Sequence, residues 1–344
     1  MTEKKYVKIH GAVKNVGDYL IADRAERLIR NHVTDYLAEY GRWQYLDAAM
    51  NQINDTSGLI ICGGPGYAED MRPDVYAISR DLDTLEVPVI PLGVGWSGKP
   101  ADNPAGFSFN AESRKLMDRI HEHGLYSCRD EITAEVLHGQ GYDKVVMTGC
   151  PVWHDERFIG AEYDLPSEVR RIVFTTPANP RLFKQVLANI RLLEEKFPDA
   201  EIIVSFHRGI WPDEHTSWRS AGIYSLMAGY ATVKGHKVED VSYDLERINF
   251  YGDCDLHVGY RVHAHLHFLS RRKPTILFCE DGRGAGMQKT LGLPVVRTTD
   301  GELVEKCSRM IDEGLESGWE TVTPAFRKIE DTYPVMKEFL EKLK

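Results

Sequence analysis

The feature that most constrains the fold is a repeated alternation of short apolar runs with stretches of helical spacing. Residues 6–9 read as a strand, and residues 19–30 carry Leu20, Ile21, Ala25, Leu28 and Ile29 at helical intervals. Leu59–Cys62, Val89–Leu92, 125–127 and 145–147 are further strand-like runs, and several end in glycine-rich or polar turns. Continuous apolar strands followed by crossover helices are the pattern of buried parallel sheets. Residues 151–166 break the pattern and read as a linker. The alternation then restarts: strands at 172–175, 202–206, 238–241, 256–258 and 275–278, and helices over 181–197, 217–231 and 261–270. A glycine-rich turn at 282–286 precedes another helix. The predicted class is α/β, with two facing, doubly wound Rossmann-like domains (1–150 and 167–323) and an interdomain cleft. A tail over 324–344, with helical periodicity interrupted at Pro334, is expected to pack back on the domain it leaves. Ligands in such sheets sit beyond the carboxyl ends of the strands, where the turns fall.

Composition narrows the function classes. The chain has 344 residues and a formal net charge of −10, which argues against broad nucleic-acid binding because that needs a positive face. A local basic cleft inside an acidic protein is still compatible with it. The six cysteines are scattered and form no CxxC pair, so free thiols in a reducing compartment are expected and a cysteine-built zinc site is not. The N-terminus lacks the apolar core of a signal peptide, and no run approaches the roughly 18–20 apolar residues of a membrane span. These features predict a cytoplasmic protein.

The segment from Asp253 to Ser270 carries the densest chemistry. A strand-like run (Leu256 to Val258) meets Gly259, then Arg261 and His263, then a helical pattern. That order puts a fixed cation and a titratable imidazole at a helix N-terminus, where free N–H groups and the dipole attract anions. His257, His263, His265 and His267 invite a metal reading, since His263 and His267 lie one turn apart. No HExxH or similar carboxylate spacing accompanies them, and no metal is expected.

Taken in order, the motifs resemble the polysaccharide pyruvyl transferase family. Asn15-Val-Gly17-Asp18-Tyr-Leu-Ile21 is similar to its N-x-G-D-x-L-I opening, and Leu59-Ile-Ile-Cys-Gly63-Gly64 to its strand running into glycines. Leu92-Gly93-Val-Gly95 resembles its G-x-G turn, Ser127-Cys-Arg129-Asp130 its S-x-R-D, and Asp255 to His263 its D-x-x-x-G-x-R-L-H. Lys273-Pro274 and Lys289 with Leu291-Gly292-Leu293 fit the closing segment. One departure is Thr148-Gly149-Cys150-Pro151, where the family has T-G-D-P. The resemblance implies a GT-B-like fold and transfer of a carboxyvinyl-derived group from phosphoenolpyruvate to sugar hydroxyls, forming a pyruvate ketal. It implies a glycan or lipid-linked acceptor, compatible with peripheral membrane association, and no metal or nicotinamide cofactor.

That chemistry needs a proton donor for the enol methylene, for which His263 is the candidate, and cations for a carboxylate and a phosphate. Arg129 and Arg261, one from each domain, are assigned to the donor, with Lys289 as a further phosphate contact. Asn15, Gly17, Asp18, Gly63, Gly64, Gly93, Gly95, His207 and Arg208 are expected to line the cleft or bind substrate. The base is Asp18, Asp130 or the departing phosphate. Both aspartates also suit helix capping, which is favoured for Asp130. The competing reading is a GT-B glycosyltransferase using a nucleotide sugar; a third is a non-catalytic glycan-binding subunit that kept the fold.

Overall fold

The computed structural model describes residues 4–98 and 104–344. The apolar runs become strands because every side chain in them is covered. β1 (Tyr6–His10) leads to α1 (Val16–His32), followed by β2 (Leu37–Gly41), β3 (Leu59–Cys62) and β4 (Val89–Leu92). These form one parallel sheet in the order β2-β1-β3-β4. The sequence reading lacked β2. Its pattern LAEYG is an edge strand with only one fully buried residue, so it shows no apolar run. The longer helices that follow in this domain are α2 (Ala111–His123) and α3 (Glu131–Gly139), besides a five-residue turn of helix at Met50–Asn54. The runs at 125–127 and 145–147 contribute only a two-residue pair, Ser127–Cys128 with Val146–Met147.

The second domain contains β5 (Arg171–Thr175), α4 (Phe183–Lys196), β6 (Glu201–Phe206), α5 (Trp218–Val233), β7 (Lys237–Asp240) and β8 (Leu256–Gly259). It continues with α6 (Val262–Ser270), β9 (Thr275–Cys279), α7 (Gly282–Leu291), β10 (Val296–Arg297), α8 (Leu303–Glu316) and α9 (Thr323–Glu341). All its strands run parallel in the order β7-β6-β5-β8-β9-β10. In order of appearance within the domain this is 3-2-1-4-5-6, the doubly wound arrangement of dinucleotide-binding domains.

Three elements differ from the sequence reading. The glycine-rich stretch at 282–286 is the first turn and a half of α7, begun by Asp281, whose carboxylate accepts from Arg283 N–H. Gly284 and Gly286 permit tight packing there: a Cβ on Gly286 would lie 2.6 Å from the Asp130 carboxyl carbon. The start of the presumed linker is core, with Cys150, Val152 and Trp153 fully buried among α1 and α6 side chains. The tail does not stay on the domain it leaves. The early part of α9 puts Phe326 and Ile329 against the core shared by both domains. Its later part lays Met336, Phe339 and Leu340 on Tyr6, Leu28 and Ile60 of the first domain. Pro334 lies within this one continuous helix. α9 therefore straps the two domains together.

Candidate active site between the domains

Both sheets reverse their strand order once, between β1 and β3 and between β5 and β8. Loops leaving strands in opposite directions open a crevice at such a point. The residues after β1 (Gly11, Lys14, Asn15), after β3 (Pro65), after β5 (Ala178) and after β8 (Tyr260, Arg261) all line a single cavity of about 380 Å³. The domains touch across it through Val16 N–H donating to the His207 carbonyl (3.2 Å) and Tyr243 N–H to the Lys14 carbonyl (2.8 Å).

On the first-domain wall, Asn15 caps α1. Its Oδ1 accepts from Gly17 N–H at 3.4 Å, and its Nδ2 donates to the Asp18 carboxylate at 3.2 Å. Asp18 is half-buried, and loss of water raises its pKa despite the opposing charges of Arg42, Arg283 and Arg208. In the second domain Asp255, at the end of β8 far from the cavity, accepts the backbone N–H groups of Arg170 and Arg171, both at 2.8 Å, and so pins β8 beside the start of β5. Gly259 has φ +150°, and a Cβ there would meet the Thr175 Oγ1 at 2.4 Å. Only glycine brings the end of β8 this close to β5, where Thr175 Oγ1 accepts from Arg261 N–H at 3.2 Å. Arg261 then stands at the N-cap of α6, buried, with its Nε unpaired.

His263 occupies the first turn of α6, 3% exposed, with Nε2 buried and unpartnered. Its pKa lies well below the ordinary histidine value, first because it is buried and then because Arg283 and Arg129 are cationic neighbours. A Cβ on Gly17 would lie 2.7 Å from His263 Nδ1, so the first turn of α1 packs directly on the imidazole. His207 also lines the cavity; its Nε2 is tied to the Tyr251 hydroxyl at 2.8 Å, and its pKa is likewise depressed by burial.

The cavity wall brings together Asn15, Asp18, His207, Arg208, Arg261 and His263 from the sequence candidates. Gly63 and Gly64 line a small recess beside it, shared with Asp18 and Arg42. Other candidates fall elsewhere. Arg129 is 1% exposed behind the wall, where its Nε donates to Asp130 (3.0 Å) and its Nη2 to the Trp96 carbonyl (3.3 Å). Only its charge reaches His263. Gly95 makes room for it: a Cβ there would lie 2.1 Å from the guanidinium carbon. Gly93 does not line the cavity; it packs on the connector, where its Cβ would meet the Gly149 carbonyl oxygen at 2.5 Å. Lys289 points to the surface and pairs with Glu135. Asp130 caps α3, accepting from Thr133 N–H at 2.8 Å.

Sequence reasoning missed Lys14, Arg42 and Arg283, all in the wall. Arg42 follows the unseen strand β2, so nothing marked it. Arg283 was legible as an arginine between glycines just after a strand, a place where a cation reaches a strand-end crevice. Lys14 is engaged by Asp213 and by Thr216 Oγ1 at 2.6 Å, and Arg283 by Asp281. Arg42, Arg208 and Arg261 form no salt bridge among the described residues. Three guanidinium groups are thus available to an anion.

Two neighbouring histidines, His257 on β8 and His265 on α6, serve the core. His257 Nδ1 and His265 Nδ1 contact Thr275 Oγ1 at 2.7 and 3.0 Å. Among the described residues no group of three or more His, Cys, Asp or Glu is arranged to hold a metal. Trp96 and Trp153 are buried, whereas Trp211 and Trp218 are exposed. No helix among the described residues is long and apolar enough to cross a membrane.

Two doubly wound domains with facing switch points and a cationic cavity between them define a GT-B-like protein. The polysaccharide pyruvyl transferase family profile matches residues 15–195, just over half of the chain, and the chain belongs to that family. No curated protein matches significantly in sequence. Among solved structures the fold is similar to S. aureus MnaA in a co-structure with UDP, at 12% identity and TM-score 0.61, covering 97% of this chain and 94% of that one. It is similar to the Neisseria meningitidis UDP-GlcNAc 2-epimerase bound to UDP-GlcNAc, at 10% identity and TM-score 0.55, covering 98% and 100%. Anabaena HepE in complex with UDP aligns at 10% identity and TM-score 0.51, covering 98% and 97%. At these identities the likeness concerns the fold alone.

Proposed function

We propose that the cavity binds phosphoenolpyruvate and transfers its pyruvyl group, as a ketal, to two hydroxyls of a sugar in a cell-surface polysaccharide precursor. The observation that carries this reading is the set of unbridged guanidinium groups, Arg42, Arg208 and Arg261, around a cavity that also holds the buried His263. A small donor with a carboxylate and a phosphate needs planar, bidentate cations of this kind. Arg261 holds the donor from the second domain. Arg42 takes the first-domain role that the sequence had given to Arg129, and Arg208 and Arg283 complete the charge.

His263 gives a proton to the methylene carbon, which becomes the methyl group. The adjacent carbon gains oxocarbenium character, and the first sugar hydroxyl adds to it. The carbon–oxygen bond to phosphate then breaks, the electron pair leaves with phosphate, and the second hydroxyl closes the ketal. Of the two hydroxyl protons released, one restores the histidine and the other leaves on phosphate. Asp18 accepts a hydroxyl proton first; burial has raised its pKa toward that of a useful base. His263 is neutral until the donor arrives, because burial and then its cationic neighbours hold its pKa well below the ordinary value. The negative charges of the donor raise its pKa, so the catalytic proton binds together with the substrate. The reaction so described needs no metal or redox cofactor, and its donor implies a cytoplasmic setting.

The test is phosphate release from phosphoenolpyruvate with a panel of sugar acceptors, alongside thermal shifts with phosphoenolpyruvate and with UDP-sugars. Donor at about a hundred times its Kd should stabilise the protein by about 2.7 kcal/mol. His263→Ala should abolish phosphate release, and equal rates in that variant would remove histidine from the role. Strong stabilisation by a UDP-sugar and none by phosphoenolpyruvate would replace the proposal with a glycosyltransferase.

A further inference from the structure

A second cationic pocket lies toward the other end of α6, away from the donor cavity. Its volume is about 90 Å³, which admits a tetrahedral oxyanion. The walls come from α1 (Asp23, Arg24 and Arg27), the connector (Arg157), residues 245–249 including Asn249, and the C-terminal end of α6 (His267 and Arg271).

The charges there do not balance. Arg24 and Arg157 both bind the buried Asp155, at 2.6 and 2.7 Å. Arg27 is matched by Asp23 at 2.9 Å. Arg271 is the residue just after α6, lies over the Phe158 ring at 5.4 Å and forms no salt bridge among the described residues. Three guanidinium groups therefore share one carboxylate, Asp155. His267 lines the same pocket at 3% exposure, with Nδ1 and Nε2 both unpartnered. The Nε atoms of Arg24 and Arg271 are also buried without partners. Unsatisfied buried donors are costly, and a cluster of them around one small volume points to a missing acceptor.

We propose that this pocket is a binding site for a phosphate-sized dianion, held by Arg24, Arg157, Arg271 and His267. Two excess positive charges match a dianion, and guanidinium forks match its tetrahedral oxygens. The site joins the first domain, the connector and the second domain at one point. It also sits at the opposite end of the helix that carries His263: eight residues separate His263 from Arg271, about 12 Å of helix. An anion bound there fixes α6 against α1 and so holds the imidazole in register with Gly17.

Isothermal titration of the full chain with inorganic phosphate tests this directly, because the donor cavity offers a separate phosphate site. Two binding events are expected in the wild type. Arg271→Gln should remove one event, or weaken it at least about tenfold, and leave the other. Arg261→Gln should do the reverse. Arg157→Gln, at a half-exposed side chain, should weaken the same event as Arg271→Gln without loss of the folded state, and circular dichroism on each variant verifies that state. A parallel titration with glycerol phosphate separates a free anion from a phosphoryl group on a larger ligand; the small volume predicts weaker binding of the ester at this site. A single event that survives both Arg271→Gln and Arg157→Gln would overturn the proposal, as would no event at all. A single event that resists Arg261→Gln but is lost in Arg271→Gln would support it while counting against the donor cavity.

Discussion

His263 is neutral in the unliganded cavity, and that sets the pH dependence of donor binding. Its free-state pKa is held well below 6.5 by burial and by Arg283 and Arg129. A bound polyanion raises it, so the complex takes up a proton. The sign follows from linkage: the extra affinity is present below the pKa of the complex and is lost as pH rises through it. Between the two pKa values, affinity should weaken about tenfold per pH unit from this group. Titration in buffers of different ionisation enthalpy should show proton uptake in the wild type and a smaller uptake in His263→Gln. At Gly17, adding one methyl group should displace the imidazole, since the new carbon would sit 2.7 Å from Nδ1. Gly17→Ala is expected to lower kcat by about 10²-fold, as small misplacements of catalytic groups do, while the melting temperature changes little. The pair Arg261 and His263 was legible in the sequence because a strand, a glycine and a helix start stand in line. Arg42 was not, because it follows an edge strand whose alternation is too short to stand out. Arg129 lies outside the cavity lining for a different reason. The sequence shows it next to the capping Asp130 at a strand end, but not that Trp96 and Gly95 close over it.

At the scale of elements, α6 explains why its sequence looked unusual. All nine of its residues are buried, so His265 is a core group and only the first turn meets the interdomain cavity. The connector and α9 carry out the same task from outside, covering α6 and α1 with apolar side chains. Trp153→Ala should therefore cost about 3–5 kcal/mol in chemical denaturation, the range for large aromatic side chains in a core. Phe339→Ala should cost a similar amount, although it lies in the chain's last helix, because that helix is part of the first domain's core. A loss under about 1 kcal/mol would mean that α9 does not strap the domains. Interior strands were legible because they are covered on both faces and read as unbroken apolar runs. The crossing of α9 was not, since a periodic apolar face states only that something covers it. The first turn of α7 was misread as a loop because its glycines serve close packing against Asp130 and Cys279.

For the whole molecule, a net charge of −10 surrounds a cationic cleft. Donor attraction is local and partly long-ranged, so the apparent Kd for the donor should rise with salt as charges beyond a Debye length of about 8–10 Å are screened. The fold should also be acid-labile well above the carboxylate range. His154, about 4, and His265, about 3, have pKa values pushed down by burial, and burial holds those of His257 and His267 well below the ordinary histidine value. The unfolded chain binds protons to these groups below about pH 6.5 and the folded protein does not. Their contribution is intact above that value and is lost as pH falls from about 6.5 toward the depressed values. The melting temperature should drop steadily from pH 7 to pH 4.5. The central claim is that the interdomain cavity is a donor site for phosphoenolpyruvate. A crystal structure of the protein with phosphoenolpyruvate is its most direct test. The donor's anionic groups should lie on Arg261 and on Arg42 or Arg208, with the methylene carbon within reach of His263. Density for the donor outside this cavity, or with His263 facing the phosphate instead of the methylene, would contradict it.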